Sequence, residues 1–313
     1  MKLRLLLTVF SLALVAHAVA QTPEATPKKV TQQYAMAADG TSLKWDLFLP
    51  GTGQGPWPVV IVIHAGGFRT GVRGPQNICL DLAAAGFAAA AIDYRLDASK
   101  NRLPTQPNPV FAPPASPNQV LDIQAAVNAA RHPSGPPLAG HVTGWVGAIG
   151  GSSGGAHALW VAATGTLNDT RANAAALLSG PYQFDDQASL NNTTLLGCDM
   201  VPSTFRDDQT KYCRTSFDHP KPAPLRAGSP IYQVQSDVSP LDIIATTLDP
   251  ITPTQIVDLR RRLQMVGATN YVYNEMDGCE HSYNYWDLPY EGANPPETVG
   301  QQVINFFLDH LSD

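Results

Sequence analysis

The sequence predicts an α/β fold, in which helices cover both faces of a mostly parallel β-sheet. The first observation is a set of continuous apolar runs, at 59–63, 88–92 and 145–149, which are typical of strands buried on both faces. The second is that stretches with helical periodicity separate these runs. Strands that alternate with helices imply parallel β-α-β units, so we expect a doubly covered sheet.

The first twenty residues predict a cleavable signal peptide. Lys2 and Arg4 give a positive start, the apolar run that follows is too short to cross a bilayer, and small residues precede Gln21. We therefore expect cleavage before Gln21, a flexible leader over 21–29, and a secreted or periplasmic protein.

The remaining chain, 30–313, has the length of one large domain. Loss of Lys2 and Arg4 with the signal peptide leaves 18 of the 20 basic residues against 26 acidic ones, so the net charge changes from −6 to −8. An acidic chain without basic clusters gains nothing from a phosphate backbone, which argues against a nucleic-acid partner. No later stretch is apolar enough to suggest a membrane partner.

Turn residues and periodicity predict the other elements. Asp39-Gly40 lies between two alternating stretches and predicts a β-hairpin, because Asp-Gly readily takes the positive φ of a tight turn. Further strand candidates lie at 174–178, 243–247 and 271–275. The helical patterns cover 77–85, 118–131, 156–164, 253–266 and 297–311. Residues 182–234 are rich in Asn, Asp, Thr, Pro and Ser, and we interpret them as an insertion that forms either a lid or a long surface loop.

Four cysteines are present, and export to an oxidising compartment favours disulfides. Cys198 and Cys213 lie in the same polar insertion and are the preferred pair, which leaves Cys79 with Cys279 as the second. The chain has no Cys-x-x-Cys or paired His/Cys spacing, so the sequence predicts no metal site.

The strongest chemical signal is the run GGSSGG at 150–155. It follows a predicted buried strand and opens an alanine-rich helix, where a serine forced into a tight turn presents its hydroxyl outward. Both serines satisfy the Gly-x-Ser-x-Gly spacing. We favour Ser152 as the nucleophile, because the strand then ends at Ile149 with the bend immediately after it, and Ser153 remains the alternative. The non-catalytic interpretation is a glycine-rich turn that only packs or binds phosphate.

A second glycine-rich segment, His64 to Phe68 (HAGGF), follows the predicted strand 59–63. It resembles the His-Gly-Gly-Gly loop of the lipase and carboxylesterase members of the α/β-hydrolase superfamily, with alanine in place of the first glycine. The resemblance implies an α/β-hydrolase fold. It also implies an oxyanion hole formed by the backbone amides of Gly66, Gly67 and Ser153, which would stabilise negative charge on a substrate carbonyl oxygen.

The resemblance covers most of the chain after the signal peptide. Residues 87–96 resemble the superfamily's strand that ends in Asp-Tyr-Arg, and residues 120–127 resemble the helix before the nucleophile strand. We expect packing and ion-pair roles for both segments. The insertion at 182–234 matches the pattern least well.

The superfamily's chain order of nucleophile, acid and histidine implies that the general base is a late histidine. His281 lies in the segment GCEHS, directly after the strand candidate 271–275, and resembles the superfamily's Gly-x-x-His loop. It is therefore favoured over His219, which lies in the insertion, and over His310, near the end of the last predicted helix.

The acid is expected after the penultimate strand. Asp249, in the segment TLDPITP, resembles the Asp-Pro turn that carries the superfamily's triad acid. Its role would be to hold the imidazole in the useful tautomer and to stabilise it once protonated. Asp237, Asp242 and Asp277 are the competitors, although each is also a candidate for a turn or helix-cap aspartate.

Together these features predict a secreted serine ester hydrolase that uses a Ser152–His281–Asp249 triad, forms an acyl-enzyme and requires no cofactor. The resemblance is greatest to secreted short-chain esterases, including those that act on acetylated or feruloylated plant polysaccharide. The expected substrate is thus a small-molecule or polysaccharide-linked ester. A serine peptidase or amidase of the same fold, and a binding protein that has lost catalysis, are the alternatives.

Overall fold

A computed structural model of the chain describes residues 27–51, 53–68, 70–96, 117–184, 223–251, 253–290 and 296–312. The strands are β1 (Lys28–Met36), β2 (Ser42–Leu49), β3 (Trp57–Ile63), β4 (Ala88–Ile92), β5 (Val142–Gly151), β6 (Ala174–Leu178), β7 (Leu241–Thr246) and β8 (Tyr271–Met276). The helices are α1 (Gln76–Ala84), α2 (Pro117–Arg131), α3 (Ser153–Ala163), α4 (Ala223–Gly228), α5 (Pro253–Val266) and α6 (Val299–His310). Two 3-10 helices span Pro230–Gln233 and Ser282–Tyr285.

The described strands form a single sheet in the order β1-β2-β4-β3-β5-β6-β7-β8. Strands β3 to β8 run parallel to one another, whereas β1 and β2 pair antiparallel with each other and β2 pairs antiparallel with β4. The predicted α/β class with a mostly parallel sheet is confirmed. All carboxyl ends of the parallel strands therefore lie at one edge, where their loops meet.

The central strands are buried because helices cover both faces. Alternate side chains of β3 point to opposite sides, so Val59 and Ile61 join one core layer and Val60 and Val62 join the other. Helices α2, α3 and α5 pack on the first side, and α1 and α6 on the second. This arrangement explains the continuous apolar run at 59–63, since neither face of the strand meets water.

The predicted hairpin is present as β1 and β2. Gly40 has a φ of +85°, and the Asp39 carboxylate accepts a hydrogen bond from the Thr41 N–H at 3.0 Å, so this pair closes the turn. Strand β1 begins at Lys28, inside the stretch expected to be a leader, because Lys28 and Lys29 pair with the end of β2.

The predicted insertion at 182–234 is described only at its two ends, and residues 185–222 lie outside the described residues. Tyr182, Ile231 and Val234 are buried in the core layer beneath α3 and α5. The N–H of Ile231 also donates to the carbonyl oxygen of Tyr182 at 3.0 Å, which ties the two ends together. These ends therefore belong to the domain core.

The expected pairing of Cys79 with Cys279 is wrong. Cys79 is buried on α1 against the sheet, Cys279 is exposed in the loop after β8, and both are free thiols. Burial raises the pKa of the Cys79 thiol to about 12. The preferred pair, Cys198 and Cys213, lies outside the described residues.

The segment expected to be a signal peptide, residues 1–20, also lies outside the described residues. Within the described ranges, every helix is too short or too polar to cross a membrane.

Candidate active site

Ser152 occupies the bend between β5 and α3. Its backbone has φ +54° and ψ −123°, a strained conformation for a residue with a side chain. Hydrogen bonds hold the bend on both sides: the Ser152 N–H donates to the carbonyl oxygen of Leu178 at 2.8 Å, and its own carbonyl oxygen accepts from Gly155 and Ala156. Strain maintained in this way is characteristic of functional sites.

The glycines two positions before and after Ser152 are required by close approach of the main chain. A Cβ atom at Gly150 would lie 1.9 Å from the carbonyl oxygen of Gly154, and one at Gly154 would lie 2.2 Å from the carbonyl oxygen of Ile63. Both obstacles are backbone atoms, so they cannot rotate away. The Gly-x-Ser-x-Gly spacing thus has a steric cause here.

The neighbouring serine differs in position. Ser153 is the first residue of α3, and its side chain is fully buried, whereas Ser152 retains 6% exposure. The backbone N–H of Ser153 belongs to the first turn of the helix, so it has no intrahelical acceptor.

The segment after β3 turns back sharply on itself. Gly66, Gly67 and Phe68 all have positive φ, at +135°, +59° and +67°. Thr70 closes the turn, since its backbone N–H and its hydroxyl both donate to the carbonyl oxygen of Gly66, at 3.1 and 3.0 Å. Within the described residues, no hydrogen-bond acceptor faces the N–H of Gly67 or Ser153. These amides are available to a ligand.

A buried aromatic layer supports this loop from below. The His64 imidazole stacks on the Tyr94 ring, with centroids 4.3 Å apart and planes 12° apart. Burial lowers the pKa of His64, which favours the neutral ring. Its Nδ1 lies 2.8 Å from the carbonyl oxygen of Ala65. His64 is thus a structural residue of the loop.

The general base and acid candidates meet at the same edge of the sheet. The His281 Nδ1 lies 2.9 Å from the Asp249 Oδ1, although the two residues are separated by 32 positions along the chain. The same oxygen accepts the N–H of Ile251 at 2.7 Å, and the Asp249 side chain is only 6% exposed. A neutral His281 that donates from Nδ1 leaves Nε2 as a proton acceptor.

Hydrogen bonds between the two loops fix this pair. The Thr246 hydroxyl donates to the carbonyl oxygen of Glu280 at 2.7 Å, and the Leu248 N–H donates to that of Gly278 at 2.8 Å. The loop after β7 is therefore attached to the loop after β8 at two points just before the histidine.

Comparison with known proteins assigns the chain to a family. Residues 45–263 match the family model of BD-FAE, which is more than half of the chain. The chain belongs to the BD-FAE family. In sequence, it matches none of the curated proteins with which it was compared.

Among the solved structures with a similar fold are proteins named as esterases. A truncated carbohydrate esterase from gut microbiota has a TM-score of 0.62 and 18% identity, covering 93% of this chain and 99% of that one. Thermogutta terrifontis esterase 2 phosphoramylated by tabun has a TM-score of 0.60 and 17% identity, covering 92% and 97%. The butyrate-bound form of the Thermogutta terrifontis Est2 esterase has a TM-score of 0.59 and 18% identity, covering 92% and 94%. At these identities the likeness shows the fold, which is that of the α/β-hydrolases.

Within the described residues, the competing candidates for the acid and the general base in this BD-FAE chain do not take part in the contact between Asp249 and His281. Asp237 pairs with Arg171 at 3.0 Å, and Asp242 is buried near the start of β7. Asp277 is exposed in the turn after β8, and His310 packs on a phenylalanine at the end of α6. His219 lies outside the described residues.

An ion pair joins two of the segments that carry the resemblance, residues 87–96 and residues 120–127. The Arg95 guanidinium binds the Asp122 carboxylate through Nε and Nη2, at 2.9 and 2.6 Å, and the Arg95 backbone N–H donates to the same group. Asp122 is 2% exposed, so this pair attaches the segment after β4 to helix α2.

Sequence reasoning missed two buried polar residues of the BD-FAE chain that support the glycine loop. Gln119 on α2 donates to the carbonyl oxygen of Phe68 at 2.9 Å, and the His157 Nε2 on α3 lies 3.0 Å from the Gln119 Oε1. Burial lowers the pKa of His157 to about 3, so the neutral ring donates this bond. The signal that could have identified these two residues is the presence of a polar side chain on an otherwise buried helical face.

Proposed function

We propose that the protein is a serine carboxylic-ester hydrolase in which Ser152 is the nucleophile, His281 the general base and Asp249 the acid. The observation that carries the proposal is a shared location. A serine in a strained bend after β5, and a hydrogen-bonded His–Asp pair on the loops after β8 and β7, lie at the same edge of the sheet.

The chemistry follows from these groups. The Ser152 hydroxyl attacks the ester carbonyl while His281 Nε2 takes its proton, and the negative charge that develops on the carbonyl oxygen is stabilised by the amides of Gly66, Gly67 and Ser153. His281 then gives the proton to the leaving alcohol, and an acyl group stays on Ser152. Water, deprotonated by the same histidine, hydrolyses this acyl-enzyme.

Two features support Ser152 over Ser153 as the nucleophile. Ser152 has the positive φ, and a Cβ atom at either of the glycines two positions from it would lie 1.9 or 2.2 Å from a backbone oxygen, the closest backbone approaches in the GGSSGG run. The side chain of Ser153, in contrast, is buried in α3. Ser153 contributes its backbone amide instead, which no substitution of the side chain removes.

For the substrate, we propose esters of short acyl groups, free or attached to carbohydrate. The support is the family membership together with the names of two structural neighbours, a carbohydrate esterase and an esterase with bound butyrate. We also propose that the protein is exported, since its first twenty residues have the pattern of a cleavable signal peptide.

The test is hydrolysis of p-nitrophenyl esters from acetate to palmitate by wild type, Ser152→Ala and the matched control Ser153→Ala. We expect cleavage of the short esters, a loss of about 10⁴-fold or more for Ser152→Ala, and less than about 10-fold for Ser153→Ala, because a backbone amide survives that change. A fluorophosphonate probe should label wild type and fail to label Ser152→Ala.

Other outcomes identify the alternatives. If only Ser153→Ala is inactive, the nucleophile is the neighbouring serine. Release of amines from aminoacyl amides at a higher rate than alcohol from esters would indicate a peptidase. A folded wild type that neither cleaves an ester nor reacts with the probe would be a binding protein.

A further inference from the structure

The 3-10 helix Ser282–Tyr285 begins directly after His281 and carries two phenols that the reaction above does not use. Tyr285 is wholly buried and Tyr283 is partly buried. They are two residues apart, and their hydroxyl groups reach different strands of the sheet.

Tyr283 reaches the two strands that carry the nucleophile and the glycine loop. Its hydroxyl lies 2.8 Å from the carbonyl oxygen of Ile63, the last residue of β3, and 3.3 Å from that of Ile149, near the end of β5. A phenol has one proton, so the shorter contact is the main hydrogen bond. The segment HAGGF starts at the residue after Ile63, and Ser152 lies three residues after Ile149.

Tyr285 reaches the next two strands. Its hydroxyl donates to the carbonyl oxygen of Ile244 on β7 at 3.1 Å and lies 3.1 Å from the hydroxyl of Ser179, the residue after β6. Strand β7 leads into the loop that holds Asp249. Because β3, β5, β6 and β7 are consecutive in the sheet, the two phenols together contact four adjacent strands at their carboxyl ends.

We propose that Tyr283 and Tyr285 form a clamp that positions His281 against Ser152 and Asp249. The inference rests on the proposed function. Neither phenol is a catalytic residue, since each acts through the backbone of the loops that carry the reacting groups.

Gly151 and Ser282 allow the 3-10 helix to lie close to strand β5. A Cβ atom at Gly151 would lie 2.0 Å from the Ser282 hydroxyl and 2.9 Å from the Tyr283 ring, so only glycine lets the turn approach β5 this closely. Ser282 itself has a φ of +61°, which turns the chain from the histidine toward the sheet. This close approach explains why Gly151, the second residue of the GGSSGG run, is a glycine.

Both phenols remain neutral donors. Burial raises the pKa of Tyr283 and of Tyr285 well above the usual value. A neutral phenol keeps the proton that it donates in these hydrogen bonds.

The test compares Tyr283→Phe and Tyr285→Phe with the matched control Tyr34→Phe in the full chain. The Tyr34 hydroxyl also donates to a backbone carbonyl oxygen after a strand, that of Asp93 at 2.7 Å, but no residue proposed for the reaction follows β4. All three variants lose one phenol hydroxyl. Only the first two lose a contact between the histidine loop and the reacting strands.

Two readouts of fluorophosphonate labelling separate positioning from folding. The end point reports the fraction of molecules with an intact site, and the rate constant per labelled site reports how well Ser152 and His281 are aligned. We expect Tyr283→Phe and Tyr285→Phe to keep the end point and to lower both this rate constant and kcat about 10-fold, with KM changed less than about 2-fold. Tyr34→Phe should keep the wild-type rate constant.

The proposal is overturned if both clamp variants keep the wild-type rate constant per labelled site, or lose activity only in proportion to the end point. If Tyr285→Phe does not fold, Tyr283→Phe alone tests the proposal. We expect this variant to fold, because the Tyr283 ring is partly exposed and the change removes only one hydroxyl group. A wild type that the probe does not label would instead contradict the proposed function, and the positioning role with it.

Discussion

The two ends of strand β7 each have a buried aspartate, and the two carboxyl groups have different surroundings. Asp242, near the amino end, accepts hydrogen bonds from the side-chain amides of Asn274 and Gln302, at 3.0 to 3.1 Å. Asp249, beyond the carboxyl end, accepts from His281. Burial raises the pKa of Asp242 to about 7, because neutral amides compensate little of the cost of a buried charge.

The difference shows how the position in the sheet gives two groups of the same type different partners. At the amino end of β7, side chains from β8 and α6 close over the Asp242 carboxyl group, which is fully buried. At the carboxyl end, the loops after several parallel strands converge, so a carboxyl group there can meet a histidine from another loop. The predictions below test this contrast.

The largest effect is expected from Asp249→Asn, with Asp242→Asn as its matched control. The amide no longer holds His281 in the tautomer that accepts a proton at Nε2, so kcat should fall by about 10⁴-fold. Asp242→Asn makes the same chemical change at the other end of the strand and should leave kcat within about 2-fold. Ester hydrolysis under saturating substrate measures both. Equal losses in the two variants would remove the functional distinction between the two ends.

A smaller effect is expected from alanine at the glycines on either side of β5. In Gly154→Ala the new Cβ would lie 2.2 Å from the Ile63 carbonyl oxygen, whereas in Gly135→Ala, before the strand, no atom lies within 4 Å. We expect Gly154→Ala to lower kcat/KM about 10²-fold and stability by about 1–3 kcal/mol. Gly135→Ala should change stability by less than about 0.5 kcal/mol. Urea unfolding and ester hydrolysis measure the two quantities, and a tolerated Gly154→Ala would mean that the bend is looser than described.

The smallest effect is the pH dependence that Asp242 gives to stability. The pKa of this carboxyl group is about 7 in the folded protein and near 3.8 when unfolded, so between these values the folded state keeps a proton that the unfolded state has lost. Folding is therefore favoured most at low pH, and the contribution is lost as the pH rises toward 7. Asp242→Asn lacks this loss, so the stability of the variant relative to wild type should rise by about 1–2 kcal/mol between about pH 6 and pH 8.

Urea unfolding of wild type and Asp242→Asn at both pH values measures this difference, and other titrating groups cancel in the comparison. A difference that stays constant with pH, or that falls, would show that Asp242 is ionised in the folded protein at low pH. The activity of the two proteins should still agree.

Much of the carboxyl edge was predictable from the sequence because its signals are local. The glycine spacing around Ser152, the segment HAGGF and the turn with Asp249 each lie next to a strand that periodicity identifies. The same holds for the helices, whose observed bounds differ from the predicted ones by only a few residues at most ends. The expected pairing of Cys79 with Cys279 was wrong because sequence spacing says nothing about which face of the sheet a cysteine occupies.

The sequence by itself determined the α/β class, the order of the elements and a short list of candidates for the reacting residues, since periodicity and turn chemistry act over a few residues. Tertiary structure alone decided which aspartate meets His281, which serine occupies the bend, and that Gln119 and Tyr283 contact the loops of the site. These contacts join residues that lie 32 to 220 positions apart. Their distances depend on how the strands pack side by side, which no local pattern records.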